Sequence, residues 1–200
     1  RGIERIGKKQ QEARLVARQE ALRRASEQAR AARKVTVGRD HIRGNASAEL
    51  SLIVYGDFEC PYCKNFHLVT NEVLKKFDNE ISLVWRNSPL EFHGEAATIE
   101  AEAAECAGKI GGNDAFWTIT DAIFSNTATN GRGVAKDGNH RAAMAKLATT
   151  LDKTAFEKCM DNHEPTATIT DDVEDGVKAG IQGTPGVLLR NNRTGETTAL

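Results

Sequence analysis

Apolar residues fall along this chain in short groups whose spacing changes from strand-like to helical and back. Leu52-Ile53-Val54-Tyr55 is an unbroken apolar run closed by Gly56, as in a strand covered on both faces. Phe66, Val69, Val73, Leu74 and Phe77 then recur at helical spacing, which predicts a helix over 60–78 ended by Asp78-Asn79. Ile81-Ser82-Leu83-Val84-Trp85 predicts a second, central strand. From Phe92 the helical period returns. Ala96, Ile99, Ala103, Cys106, Ala107 and Ile110 mark a helix stopped by Gly111-Gly112, and Phe116, Ile119, Ile123 and Phe124 mark another, with Asn113 as its cap. Residues 125–139 are polar and Gly-rich and read as a long surface loop. Two short helices follow near 140–150 and 153–161, then one at 166–179 with Ile169, Val173 and Val177 on one face. Val187-Leu188-Leu189 is a strand that Asn191–Gly195 turns toward a partner at 196–200.

The first residues do not share this alternation. Residues 3–34 read as one long polar helix, rich in Ala, Arg, Gln and Glu. Leu15, Leu22 and Ala29 recur every seven residues, with Ala25 and Ala32 in matching positions, but Gln11 and Arg18 interrupt the seam. Val35-Thr36-Val37 reads as a short edge strand, and Gly44-Asn45-Ala46-Ser47 as a turn.

Charge sharpens that division. The formal net charge of −1 hides eleven Lys/Arg against four Glu in residues 1–34, so that segment is strongly basic and the remainder acidic. Without aromatic residues or a glycine-rich loop, the basic segment reads as a solvated or coiling helix, and no nucleic-acid partner is implied. Two hundred residues, 40% of them hydrophobic and 28% charged, suit one soluble-type domain with an insertion. No stretch is apolar enough to span a membrane. The chain begins at Arg1 without a methionine, so a secretory signal or a membrane anchor is expected upstream.

The chemistry concentrates at Cys60-Pro61-Tyr62-Cys63, between the first strand and the helix after it. Pro61 suits the first helical position. A thiol at Cys60 then meets the positive end of the helix dipole and unpaired N–H groups, which favour its thiolate. Cys63, one turn on, can close a disulfide with it. Asp57 and Glu59 flank the pair as candidate proton relays, and Phe58 and Tyr62 would shape its surroundings. A metal reading takes Cys60, Cys63 and His67 as ligands, but a closed zinc site needs a fourth, and His41, His93, His140 and His163 are scattered and read as exposed or locally bonded. No metal is assigned.

The stretch Tyr55-Gly56-Asp57-Phe58-Glu59-Cys60-Pro61-Tyr62-Cys63-Lys64-Asn65-Phe66-His67 resembles the active site of DsbA-like thiol:disulfide oxidoreductases of the thioredoxin superfamily. His41-Ile42-Arg43-Gly44-Asn45 and Gly183-Thr184-Pro185 match the same pattern. The resemblance implies an α/β thioredoxin fold over 36–91 and 164–200 with a helical insertion at 92–163, and leaves the N-terminal helical segment over 1–35 uncovered. It also implies a last helix for which no residues remain after Leu200.

For the site, the resemblance implies an exposed nucleophile at Cys60 and a shielded resolving thiol at Cys63. It implies a cis bond before Pro185, with Thr184, Pro185, Pro61 and Tyr62 positioning substrate. It further implies a structural disulfide between Cys106 and Cys159, which otherwise read as two buried thiols. No cofactor is implied. The expected activity is oxidation of reduced secreted proteins in the periplasm or another extracytoplasmic space, with a membrane redox partner restoring the disulfide. Tyr62 replaces the histidine of the stronger oxidants, so a milder one is expected. The alternatives are a dimeric isomerase or reductase of DsbG type, joined through residues 3–34 as a homodimer or small oligomer, and a metal-binding or chaperone protein on the same fold.

Overall fold

In the computed structural model, which describes residues 2–77 and 79–200 and the side chains from residue 7 on, a five-stranded sheet carries the helices. Its strands are β1 (His41–Gly44), β2 (Leu50–Gly56), β3 (Ile81–Asn87), β4 (Gly186–Asn191) and β5 (Thr197–Ala199), in the spatial order β1-β3-β2-β4-β5. β2 and β3 are parallel and the outer pairs antiparallel. The helices are α1 (Gly2–Ala29), α2 (Pro61–Lys76), α3 (Gly94–Asn126), α4 (His140–Leu147), α5 (Lys153–Asp161) and α6 (Thr166–Lys178). Asp78, expected to end the second helix, lies outside the described residues, and α2 closes at Phe77.

The apolar run in β2 divides by parity, as strand geometry requires. Leu52 and Val54 face a core shared with α2, α3, α4 and α5, whereas Ile53 and Tyr55 face the other side with Val84 and Leu188. In the larger core Cys106 is bonded to Cys159, ends of a 53-residue separation, tying α3 to α5. Closing a loop of that size stabilises by roughly 4 kcal/mol in the chain-entropy model.

Several expected features differ. The first helix ends at Ala29 rather than residue 34. Ala29 and Ala32, read as seam positions, are instead buried against the second face of the sheet, while Leu15 and Leu22 stay exposed. Val35-Thr36-Val37 forms no strand; Val37 makes a single bridge to Asp40, and the edge strand is β1. Asn113 does not cap a helix, because its side-chain amide exchanges hydrogen bonds of 2.9 and 2.7 Å with the backbone of Ile42 in β1. The two expected insertion helices join as α3 across a break at Gly112, whose φ of 76° suits glycine. Val177 points to solvent, since Asp172, Asp175 and Gly176 form the buried face of α6.

The last difference traces to Arg86, a polar residue at the end of β3 whose side chain is fully buried. Its guanidinium meets Asp40 through Nε at 2.9 Å and Nη2 at 3.3 Å, and through Nη1 reaches Asp175 at 2.8 Å and the Tyr55 hydroxyl at 3.0 Å. Arg33 adds Asp172 at 2.6 Å and Asp40 at 3.1 Å. These bonds fasten residues 33–40 and α6 across the second face of the sheet. Arg86→Met removes the shared cation from two carboxylates that stay buried, so it is expected to cost about 3–5 kcal/mol. Urea unfolding measures this, and an unchanged midpoint would show that the network does not hold the fold.

Candidate active site

β2 delivers the chain to the site through Gly56, where a Cβ would lie 2.1 Å from the Trp85 ring. No other residue fits there. Asp57 then builds the turn. Its Oδ1 accepts the Glu59 N–H at 2.7 Å, and its Oδ2 accepts the Leu90 N–H at 2.8 Å and lies 2.7 Å from His93 Nδ1. His93 is therefore buried and paired with a residue 36 positions away, which corrects the expectation of an exposed or locally bonded ring. His41 likewise bonds a distant partner, Glu105 at 3.0 Å, whereas His163 is exposed as expected while bonding Glu102 at 2.6 Å.

Cys60 is the N-cap of α2, in extended backbone (φ −77°, ψ 120°), and Pro61 opens the helix. The Thr184–Pro185 bond is cis and brings the Thr184 carbonyl within 3.3 Å of Cys60 Sγ. As a thiol Cys60 donates to that carbonyl, and the neighbouring Thr184 side chain favours its thiolate. The Cys63 thiol, followed by Thr184 and the N–H groups of Cys63 and Tyr62, outweighs burial and lowers Cys60 from an ordinary 9.0 to about 5. Burial and the adjacent Cys60 push the Cys63 thiol far above its usual range. The two sulfurs are thus an acidic nucleophile and a shielded resolving group.

Cys60 is less open than expected: only 4% of the residue is exposed, against 73% for Tyr62, which projects outward. The cis-proline loop covers the sulfur. Phe58 lies in the core behind the site, its ring 5.2 Å from Trp85 and 5.0 Å from Phe124. His67 packs 4.8 Å from Phe124 and bonds Asp121 at 2.7 Å, joining α2 to α3. Pro61, Thr184 and Pro185 are partly buried beside the pair.

Glu59 is fully buried and its oxygens are taken. Oε1 accepts the Thr127 hydroxyl, Oε2 the Gly133 N–H at 2.9 Å, and the Glu59 carbonyl the Asn130 N–H at 2.7 Å. The expected surface loop over 125–139 is therefore folded against the site: Thr127 and Thr129 are buried, and α3 runs on to Asn126. Thr129 and Asn130 hold φ of 59° and 56°. Asparagine tolerates that backbone, but for the β-branched Thr129 it is unfavourable, and about 1–3 kcal/mol has to be offset by the surroundings. Sequence reading missed this loop and Glu100 behind it, because neither carries a local signature; only the excess of Glu on an alanine-rich helix hinted at the second.

A sheet, a helix opened by a cysteine pair and a cis-proline beside it define a thioredoxin-fold thiol–disulfide oxidoreductase. The family profile described as Thioredoxin matches residues 36–199. DsbA2 of Pseudomonas aeruginosa superposes with a TM-score of 0.71 at 33% identity, over 83% of this chain and 88% of that one. BdbD of Bacillus subtilis, in its oxidised form, superposes with a TM-score of 0.68 at 20% identity over 84% and 86% of the two chains, a likeness of fold. Among curated relatives, the Na(+)/H(+) antiporter NhaA 1 of Salinispora arenicola is 32% identical over 78% of this chain, which spans only 22% of the antiporter's length. The chain belongs to the DsbA-like thiol:disulfide oxidoreductases of the thioredoxin superfamily.

Because the Cys63 thiol is the largest contribution to the Cys60 shift, Cys63→Ala is expected to raise the Cys60 titration from about 5, and Cys63→Ser to raise it less. Thiolate absorbance against pH reads both. The depressed pKa stabilises the reduced fold fully above the ordinary thiol value of 9.0, and that advantage fades as pH falls through about 5. The melting temperature of the reduced form should therefore exceed that of the oxidised form at neutral pH and converge with it in acid.

Proposed function

We propose that this protein is an extracytoplasmic oxidase that passes the Cys60–Cys63 disulfide to reduced secreted proteins. The observation that carries the reading is the Cys60 thiolate, held at a helix start against the cis Thr184–Pro185 loop. A substrate thiolate attacks Cys60 Sγ, the Cys60–Cys63 bond breaks, and Cys63 leaves and takes a proton. A second substrate thiolate then attacks the substrate sulfur of the mixed disulfide and releases Cys60 as a thiolate. The substrate loses two electrons and the cysteine pair gains them. A low Cys60 pKa favours the last step, because a stable thiolate leaves faster.

Thr184 and Pro185 present backbone to an extended substrate, and Pro61 and Tyr62 form the adjoining surface. Asp57 and Glu59 serve by holding the turn and the neighbouring loop. The Cys106–Cys159 disulfide supports an oxidising compartment. The match to a segment of membrane antiporters supports work at a membrane surface, where a membrane redox partner would reoxidise the pair. Antiport belongs to the whole of those relatives and is not transferred to this chain.

The reduction potential of the Cys60–Cys63 couple tests the oxidase. It is expected between about −230 and about −120 mV, the span from glutaredoxins to DsbA. A value near thioredoxin's, about −270 mV, would make the protein a reductase.

The isomerase reading is favoured by one observation: Leu15, Val16 and Leu22 on α1 are each more than half exposed. A second copy docked on α1 would cover them and place two active sites toward one substrate. Light scattering on the full chain and on a version starting at Ala25, which keeps Ala29, Ala32 and Arg33 in the fold, decides this. A dimer or small oligomer that dissociates on truncation is expected if α1 joins the subunits. Two monomers remove the isomerase reading.

A further inference from the structure

Glu100 lies in the middle of α3, fully buried, and neither of its carboxyl oxygens has a hydrogen-bond donor. A buried carboxylate in that position would be left with its whole desolvation cost uncompensated. The chief polar group facing it is the carboxyl of Glu59, the residue before Cys60, with the Val134 N–H a lesser and opposing influence. Two carboxyls can hydrogen-bond only when one of them carries a proton. Glu59 is the natural acceptor, since the Thr127 hydroxyl and the Gly133 N–H already treat it as an anion.

The other charged groups nearby do not neutralise the pair. Asp57 adds a second negative charge beside Glu100 and is itself bonded to His93. Lys64, on the first turn of α2, sends its ammonium to the Thr127 carbonyl at 2.7 Å, and His140 lies against Gly133 at the start of α4. Among the described residues no Lys or Arg bonds either glutamate. Burial first, and Glu59 second, raise Glu100 from an ordinary 4.5 to about 9.

We infer that Glu100, as a neutral acid donating to Glu59, is a positioning residue that latches the strained 127–133 loop against the Cys60 end of the site. Beside the Lys64 bond to the Thr127 carbonyl, this loop is held to the active-site turn through Glu59. Thr127 and Gly133 bond its carboxylate, Asn130 bonds its carbonyl, and Thr129 is fixed in turn by the Thr127 hydroxyl at 3.0 Å. The left-handed Thr129 and Asn130 relax once that grip is released. The shared proton thus sets the shape of the wall that begins one residue from the nucleophile. The loop's part in exchange rests on the oxidoreductase reading above, whereas the shared proton does not.

The sign of the pH dependence follows from the raised pKa. A latched Glu100 keeps its proton up to about 9, while an opened, hydrated one loses it near 4.5. Within that window the latched state binds one more proton, so its population relative to the open state falls about tenfold per pH unit.

Amide hydrogen exchange of the reduced full chain reads the latch directly. The protection factors of Asn130 and Gly133, corrected for intrinsic exchange, are expected to drop about 100-fold between about pH 6 and about pH 8. In Glu100→Gln, whose amide donates to Glu59 at any pH, they should stay level. Equal slopes in both proteins, or a level profile in the wild type, overturn the inference. Infrared spectroscopy of the wild type at neutral pH guards against a variant that fails to fold: a protonated-carboxyl carbonyl band is expected, and its absence overturns the inference without any variant. The rate at which oxidised protein takes up a model dithiol peptide is measured in parallel. If exchange protection follows the proton but the peptide is never oxidised, the latch stands and the oxidase reading falls.

Discussion

The buried guanidinium of Arg86 is the constraint on which the rest of this architecture depends. A cation removed from water is tolerated only if its hydrogen bonds are met, and here they are met from distant parts of the chain. Asp40 comes from the segment after α1, Tyr55 from β2 and Asp175 from α6. The next residue, Asn87, continues the pattern, with its N–H on Asp172 and its amide on Glu105 of α3. Two adjacent residues at the end of β3 thereby fix the sheet, the helix before the cis-proline and the insertion in mutual register.

That register is what makes the cysteine pair chemically unequal. Helix-start N–H groups favour a thiolate at Cys60, but they rank behind its contacts with Cys63 and Thr184. Thr184 arrives on a loop 124 residues away, and α6 positions that loop. Cys63, one turn deeper, loses its solvation with no equivalent return and stays protonated. One sulfur is ready to leave and the other ready to close, and the difference comes from burial and partners rather than residue type.

The flanking acids show the same dependence. Asp57 and Glu59 are two residues apart, yet one is bound into a turn by Leu90 and His93 and the other into the insertion loop by Thr127 and Gly133. Each carboxylate ties the active-site turn to a different part of the molecule, so the turn is held from both sides. The insertion is then part of the site's construction, joined to it through Glu59, His67 and the shared core.

The sequence by itself determined whatever rests on neighbours along the chain. β2, the start of α2, the placement of Cys60 and Pro61 at that start, and the order of the insertion helices all follow from local periodicity and the backbone demands of Pro and Gly. Through family resemblance it also pointed to Thr184, Pro185 and the Cys106–Cys159 pair. Tertiary structure alone decided where polar groups find partners. Ala29 and Ala32 fit a helical seam in sequence but are buried under the sheet because Arg33 and Asp40 draw that segment onto Arg86. The 127–133 stretch has the composition of a solvent loop, yet it folds inward because its hydroxyl and N–H groups meet a buried carboxylate. Periodicity records which face of an element is apolar. It carries no record of which distant donor will meet a given acceptor, and at this site the acidity of Cys60, the cover over it and the proton behind it all depend on those meetings.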